Sequence, residues 1–399
     1  MDVDDLLSEA GRQALAAAGT ITDAHRHPLR AAEHLRAQGI APALAAAALT
    51  QAELRRKAVT KFGADAAVML FTRAGLEQAT RAAVATRRAR RLAVAGVTSV
   101  ADLGCGIGAD TIAFARAGLR VRAVDADPTT ARIAQANAAA LGLPADVTHG
   151  DAVTTDLTGV DAVFCDPARR TKGGQRVFDP RAYEPPWDFV AALPARVPRT
   201  VLKLAPGIDH DLLPEHAEGE WVSIDGDLVE AAAWCGPLAE TPRRATLIST
   251  ATPAVHELTG TGGEQAPVDR PKRFLHDPDA AVIRAHLVAE FAGTIGGTLA
   301  DPTIAYTYTD EPATTPFART YEVLEHLPVA LKRLRAALRD LDAGPLTILK
   351  RGSALDVEEL RKSLKLTGGS PATIALTRIG RAPAVLLLRT AAGPAAAAG

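Results

Sequence analysis

Asp102-Leu-Gly104-Cys-Gly106-Ile-Gly108 is the stretch on which the reading of this 399-residue chain turns. It follows a strand-like run, Thr98-Ser-Val-Ala101, and precedes a helix-forming run from about residue 110 to 117. Strand, glycine loop and helix in that order open a parallel α/β sheet. Glycine there permits positive φ and lets a ligand approach the backbone closely. Outward from the loop, residues 120–124, 146–149, 161–165 and 200–204 predict further strands, with a helix over 128–140. Strands alternating with helices imply parallel pairing and right-handed crossovers. Beyond them the alternation stops. Asp225-Gly226-Asp227 predicts a hairpin turn, and residues 244–249 an edge strand.

The loop alone is ambiguous, because Gly104, Gly106 and Ala109 also fit the dinucleotide pattern G-x-G-x-x-G/A. Its acidic neighbours argue otherwise. Asp102, Asp125 and Asp151 end three successive strands. A carboxylate at position 102 repels a pyrophosphate but accepts hydrogen bonds from an ammonium group. Asp125 is placed for vicinal ribose hydroxyls, and Asp151 for an adenine amino group. Each aspartate singly could instead cap a helix, a role that Asp127, before Pro128, fits better than Asp125 does. S-adenosylmethionine carries an ammonium, a ribose and an adenine and no phosphate.

The flanks are different in kind. Residues 1–95 read as a helical region, rich in Ala, Leu, Arg and Glu and broken by Gly19, Pro28, Gly39 and Pro42. Its last helix is expected over 76–95 and ends in Arg87-Arg88-Ala-Arg90-Arg91, read as a solvated basic helix end or else an RNA-contacting patch. Residues 96–251 make the α/β domain, 252–320 a linker and connecting segment, and 321–392 a small α+β domain. That last domain is expected to hold a helix over 320–341, a strand over 346–350, a helix over 357–364 and two more strands. It carries twelve Lys+Arg against seven Asp+Glu in a chain of net charge −1, a distribution that suits phosphate contact. Lys350 and Arg351 close its first strand, and an Ala/Gly-rich tail follows it.

Hydrophobic residues make up 47% of the chain, so burying a core is no difficulty. Cys105, Cys165 and Cys235 form no C-x-x-C pair, which argues against a disulfide scaffold or zinc ribbon, and the histidines show no metal-ligand spacing. The acidic start lacks a signal-peptide pattern, and no uncharged apolar run reaches the ~18 residues of a membrane span. The expectation is a cytoplasmic protein without metal, its oligomeric state open.

In motif order and spacing, residues 97–250 resemble class I S-adenosylmethionine-dependent methyltransferases. The resemblance implies cofactor contacts at Asp102, Gly104, Cys105, Gly106, Gly108, Asp125, Ala126, Asp151 and Ala152. The fourth strand runs into Asp166-Pro167-Ala168-Arg169-Arg170. Relatives that methylate exocyclic amines carry Asp/Asn-Pro-Pro-aromatic there. Their carboxylate accepts the amine hydrogens so that the lone pair turns toward the methyl, and in-line placement supplies much of the rate. This chain keeps Asp166 and Pro167 and lacks the aromatic. Arg169 could stack on a base in its place, or pair with a carboxylate. Arg170 and Lys172 open a basic, glycine-rich loop that suits a phosphate backbone or is plain surface. Lys203, a charge inside the fifth strand, is a further substrate-binding candidate.

Over most of its length the chain also resembles methyltransferases in which a class I domain is followed by a THUMP-like domain. The phrases that carry this are Lys61-Phe-Gly63, Phe71-Thr-Arg-Ala-Gly75, Asp166-Pro-Ala-Arg-Arg170, Ala205-Pro-Gly-Ile-Asp209 and Lys350-Arg-Gly352. Its catalytic domain is related to enzymes that methylate guanine N2 in RNA caps, and THUMP domains bind RNA. The implied protein is an RNA methyltransferase, with a fold of α/β class: a Rossmann-like sheet, an N-terminal helical region and a small C-terminal α+β domain. Its rivals are a methyltransferase for a protein or small molecule, and an RNA-binding protein whose cofactor-shaped domain is inactive.

Overall fold

The computed structural model describes residues 3–21, 26–167, 184–252 and 254–391. The chain divides into two compact units. The first holds Met1–Leu204, Asp209–Ala217 and Ala232–Glu240, and the second Ala205–Ile208, Glu218–Ala231 and Thr241–Gly399.

The first unit is built on β1 (Ser99–Leu103), β2 (Arg120–Asp125), β3 (Asp146–His149), β4 (Ala162–Cys165) and β5 (Thr200–Leu204). They lie in the order β3-β2-β1-β4-β5 and pair in parallel. β1 feeds helix Ala109–Arg116 and β2 feeds helix Pro128–Ala140. Pro128 opens the second helix, and Asp127 caps it by accepting from the Thr130 amide at 2.7 Å, as its position before proline suggested. The strand order reverses direction between β1 and β4, the place where open α/β sheets bind ligands.

The helical region is not a separate core. Leu35, Leu54, Phe62, Met69 and Phe71 pack in one cluster with Ile107, Ile112 and Ile133. The sheet core beside it joins Val100, Phe114, Val121, Phe164 and Trp234. The helix expected over 76–95 is two, Arg73–Gln78 and Ala82–Val94. Two of its arginines are not a solvated end, although Arg90 is exposed. Arg88 is buried in an ion pair with Asp110 and lies 4.5 Å from the Phe164 ring centroid. Arg91 stacks 4.0 Å from the Trp234 centroid.

β6 (Glu218–Ile224), in the second unit, and β7 (Asp227–Trp234), of which Asp227–Ala231 belong to that unit, flank the expected turn, with φ of 51° at Asp225 and 88° at Gly226. β8 (Arg243–Ile248) lies parallel to β6, and β9 (Val255–Gly260) antiparallel to β8. The segment expected as a linker therefore contains β9. It also contains β10 (Phe274–Pro278), β11 (Thr298–Leu299) and β12 (Thr307–Thr309) of a second sheet. That sheet continues through β13 (Ala318–Pro328), β14 (Ala343–Lys350), β15 (Ser370–Ile379) and β16 (Ala382–Thr390). Its order is β11-β12-β10-β13-β16-β15-β14. Residues 320–328, expected as helix, lie in β13 because β10 and β16 pair with that strand on both sides. The helix follows at Leu331–Asp340, and helix Val357–Leu364 matches its expected span. Among the described residues no helix is long and apolar enough to cross a membrane.

Candidate functional site

The carboxyl ends of the parallel strands bring the predicted acids to one edge. Asp102 lies near the end of β1, Asp125 ends β2, Asp151 follows β3 by two residues and Asp166 follows β4 directly. Burial grades them. Asp102 is fully buried, Asp125 and Asp166 are half-buried, and Ala126 and Asp151 are exposed at the rim.

The glycine loop is held from below by β2. The amides of Gly104 and Cys105 both donate to the Val124 carbonyl, at 2.9 and 3.0 Å. The Gly106 amide donates to Asp125 Oδ2 at 2.9 Å. Asp125 Oδ1 accepts from the Asp127 amide at 2.9 Å, so this carboxylate shapes its own turn as well as facing the edge. Gly104 has φ +83°, and a Cβ there would stand 2.8 Å from the Asp166 carbonyl oxygen. Only glycine lets β1 and β4 close that tightly at this point. Gly108, at φ +90°, starts the helix that follows. The Cys105 thiol is buried within the sheet core, which leaves its backbone as the part that faces the loop. Ala152 is buried, and Asp151 Oδ1 accepts from the Val153 amide at 2.8 Å.

Two features of the acids stand out chemically. Asp102 Oδ2 accepts from the Thr111 hydroxyl at 2.5 Å, while Oδ1 is buried with no partner among the described residues. Burial pushes the Asp102 carboxyl up to about 8, with the nearby Asp110 and Asp166 charges adding and the Thr111 bond opposing. Burial also raises Asp125. The second feature is Asp166. The register Cys165↔Leu202 sets it beside Lys203, and Lys203 Nζ donates to Asp166 Oδ2 at 2.6 Å. Lys203 is 5% exposed and Asp166 27%. The lysine is thus a buried counter-charge, and Asp166 Oδ1 has no partner among the described residues.

Sequence reasoning missed three supports of this edge. Arg88 and the Thr80 hydroxyl both bind the Asp110 carboxylate, one residue into the helix that the loop starts; the Thr80 bond is 2.6 Å. Lys61 Nζ donates to the carbonyls of Leu76, Glu77 and Ala79 at 2.7, 2.8 and 3.0 Å, closing the C-terminus of helix Arg73–Gln78. Burial lowers the Lys61 ammonium to about 8, with Lys203 and Arg81 adding. Asn137 and Gln51 grip the segment before that helix.

Arg169, Arg170 and Lys172 lie outside the described residues. Lys350 and Arg351 belong to the second unit. Lys350 is exposed, whereas Arg351 Nη2 pairs with Asp277 at 2.8 Å and holds the sheet together. Among the described residues no group of His, Cys, Asp and Glu is arranged to hold a metal ion.

Comparison with known proteins agrees with this geometry. A methyltransferase-domain family matches residues 100–171, a THUMP domain-like family residues 318–390, and a domain of unknown function residues 1–58. An uncharacterized S-adenosylmethionine-dependent methyltransferase of Mycobacterium tuberculosis, found in strains CDC 1551 and H37Rv, is 37% identical over 345 residues. The match covers 82% of this chain and 91% of that protein. A crystal structure of a candidate methyltransferase from Porphyromonas gingivalis W83 shares the fold, with TM-score 0.72 at 23% identity over 88% of this chain and 92% of that one. The chain belongs to the S-adenosylmethionine-dependent methyltransferases.

Proposed function

We propose that the chain methylates RNA at an exocyclic amine, such as guanine N2, with Asp166 as the acceptor that orients the amine. The carrying observation is the Lys203–Asp166 pair. One carboxylate oxygen is fixed by a buried ammonium, and the other has no partner among the described residues at the edge where the glycine loop lies. An aromatic amine delocalises its lone pair into the base. An oxygen that accepts an amine hydrogen turns that lone pair toward an electrophile, and the buried Pro167 next in the chain stiffens the backbone after Asp166.

The acids fit the cofactor. The unpartnered Asp102 Oδ1 suits an ammonium, Asp125 the ribose hydroxyls and Asp151 an adenine amine, while Gly104, Gly106 and Gly108 let the backbone approach. Bound there, S-adenosylmethionine supplies a methyl group activated by its sulfonium. The titration of Asp102 makes this assignment testable. With its carboxyl raised to about 8, it is largely protonated at neutral pH, and an ammonium favours its ionised form. Docking then releases a proton, so affinity for S-adenosylhomocysteine is expected to climb from pH 6 and level off above about pH 8, by at most about tenfold per pH unit. Calorimetry across that range checks it, with Asp102→Asn losing the slope. A flat profile in the parent protein removes Asp102 from the site.

RNA as substrate is supported by the second unit. Lys332, Arg333 and Arg339 are exposed on helix Leu331–Asp340, Lys362 on helix Val357–Leu364 and Lys365 just after it. None of these has an ion-pair partner among the described residues. Leu334, Leu338 and Leu364 seat both helices on the sheet through a shared core, which leaves the cations outward. The experiment incubates the full chain with methyl-labelled S-adenosylmethionine and total RNA from cells lacking the gene, then analyses nucleosides by mass spectrometry. N2-methylguanosine, with RNA affinity that falls steeply with salt, is the expected result. Label confined to protein or small molecules overturns the reading.

A further inference from the structure

Beyond that reading, we infer that Asn137 is a positioning residue for the cofactor loop, and that through it occupancy of the loop is coupled to the segment Val68–Thr72.

From Val68, in the αR region, the segment runs without helix or strand to the extended Thr72; Met69, Leu70 and Phe71 are buried, yet among the described residues no strand pairs with it. Side chains do that work instead. The Gln51 amide both donates to the Phe71 carbonyl, at 2.8 Å, and accepts from the Phe71 amide, at 3.0 Å. Asn137 serves Leu70 in the same way, accepting from its amide at 2.7 Å and donating to its carbonyl at 3.0 Å. Arg55 Nε donates to the Met69 carbonyl at 2.8 Å. These pairs imitate the double bond of a neighbouring strand, and both amide residues are themselves buried.

Asn137 does one thing more. Its amide nitrogen also donates to the Ile107 carbonyl at 3.0 Å. Ile107 stands between Gly106 and Gly108, both at positive φ, in a stretch where free rotation is greatest. Fixing this carbonyl fixes the peptide between Ile107 and Gly108, and with it the turn that aims the loop amides. The Ile107 side chain is gripped from the same side, since a Cβ on Gly75 would lie 2.5 Å from its Cγ2. Thr72 Oγ1 in turn accepts from the Gly75 amide at 2.9 Å. Loop and segment are therefore joined at two points, by a polar bridge and a packed contact. On another side, Leu70, Phe71 and Thr72 border a cavity of about 230 Å³. The segment has room to shift, so its order is free to respond to the loop.

Coupling is reciprocal. If a ligand that orders the loop also orders Leu70, then loosening Leu70 at Asn137 weakens that ligand. Hydrogen exchange of the full chain is measured with and without S-adenosylhomocysteine, together with its affinity by calorimetry. In the parent protein the ligand is expected to slow exchange at Leu70 by about tenfold or more and at Phe71 by much less. Asn137→Ala should lower affinity by a similar factor and abolish the ligand's effect on Leu70. Asn137→Asp keeps the acceptor for Leu70 and loses the paired donors, and serves if the alanine variant does not fold. Gln51→Ala frees Phe71 but leaves the Ile107 bridge, and should hold affinity within about twofold. Two results overturn the inference: exchange at Leu70 indifferent to ligand in the parent, or equal affinity losses at Gln51 and Asn137. Neither readout involves a methyl acceptor, so failure here is distinct from failure of the RNA reading.

Discussion

Asp166→Asn is expected to lower methyl transfer by about 10²–10⁴, the range for a group positioned on a reacting proton, while S-adenosylhomocysteine affinity stays within about threefold, some 0.7 kcal/mol. Asparagine is the informative change because it keeps the shape. Lys203 is buried and needs an acceptor, so the single amide oxygen turns to it. The amide NH2 then takes the open position and meets the substrate amine donor to donor. Alanine is less clean. It takes the Asp166 carboxylate away from the buried Lys203, and breaking such a buried pair costs about 3–5 kcal/mol of stability. Lys203→Met keeps the acceptor and removes its anchor, and should fall between parent and asparagine variant. The assay uses the RNA fraction that the parent protein labels. Full activity in Asp166→Asn excludes the carboxylate as amine acceptor, and joint loss of transfer and cofactor binding assigns it to the cofactor instead.

The framework of the site was legible because it rests on local signals. The strand–glycine–helix order, Asp102, Asp125 and Asp151 at strand ends, and the cap at Asp127 all follow from short stretches of chain. Lys203 was noticed as a charge in an apolar strand, but its partner required the register of β5 against β4, which no short stretch encodes. The arginines of helix Ala82–Val94 were misread for a different reason. Val84, Ala85, Arg88, Ala89 and Leu92 share the buried face, so Arg88 sat within the apolar stripe and could have been found there. Gln51 among Ala48, Leu54 and Ala58, and Asn137 among buried alanines, carry the same signal. A polar residue inside an apolar stripe marks a long-range partner.

The second unit was less legible because its pairings are distant. Tyr321-Glu-Val-Leu-Glu-His-Leu327 has helix-compatible composition, and its alternation is broken by a bulge between Val323 and Glu325. Pairing to β10 and β16 outweighs that local preference. The strands between 255 and 309 hide among Gly, Pro and Thr because most are short, and β10 depends on β12 and β13, partners remote in sequence.

Arg88→Met is expected to cost about 3–5 kcal/mol, a large part of the 5–15 kcal/mol that holds a typical domain. Arg88 is 2% exposed, and its removal leaves Asp110 buried, among the described residues, with the Thr80 hydroxyl and no cation opposite it. The stacking of the guanidinium on Phe164 goes with it. Urea unfolding of the full chain measures the loss, with exposed Arg90→Met as the control expected to change little. Adding Asp110→Asn removes the stranded charge and should restore part of the stability, a coupling that a cavity effect alone would not give. The same substitution reaches the cofactor. The Asp110 charge raises the Asp102 carboxyl and Arg88 lowers it, so without Arg88 the carboxyl rises further above 8. Affinity for S-adenosylhomocysteine should therefore fall at pH 7 and recover at pH 9, where Asp102 is driven to ionise. An equal loss at both pH values would place the damage in the fold of the loop rather than in the charge of Asp102. A loss no greater than that of Arg90→Met would mean that the buried pair contributes nothing to either.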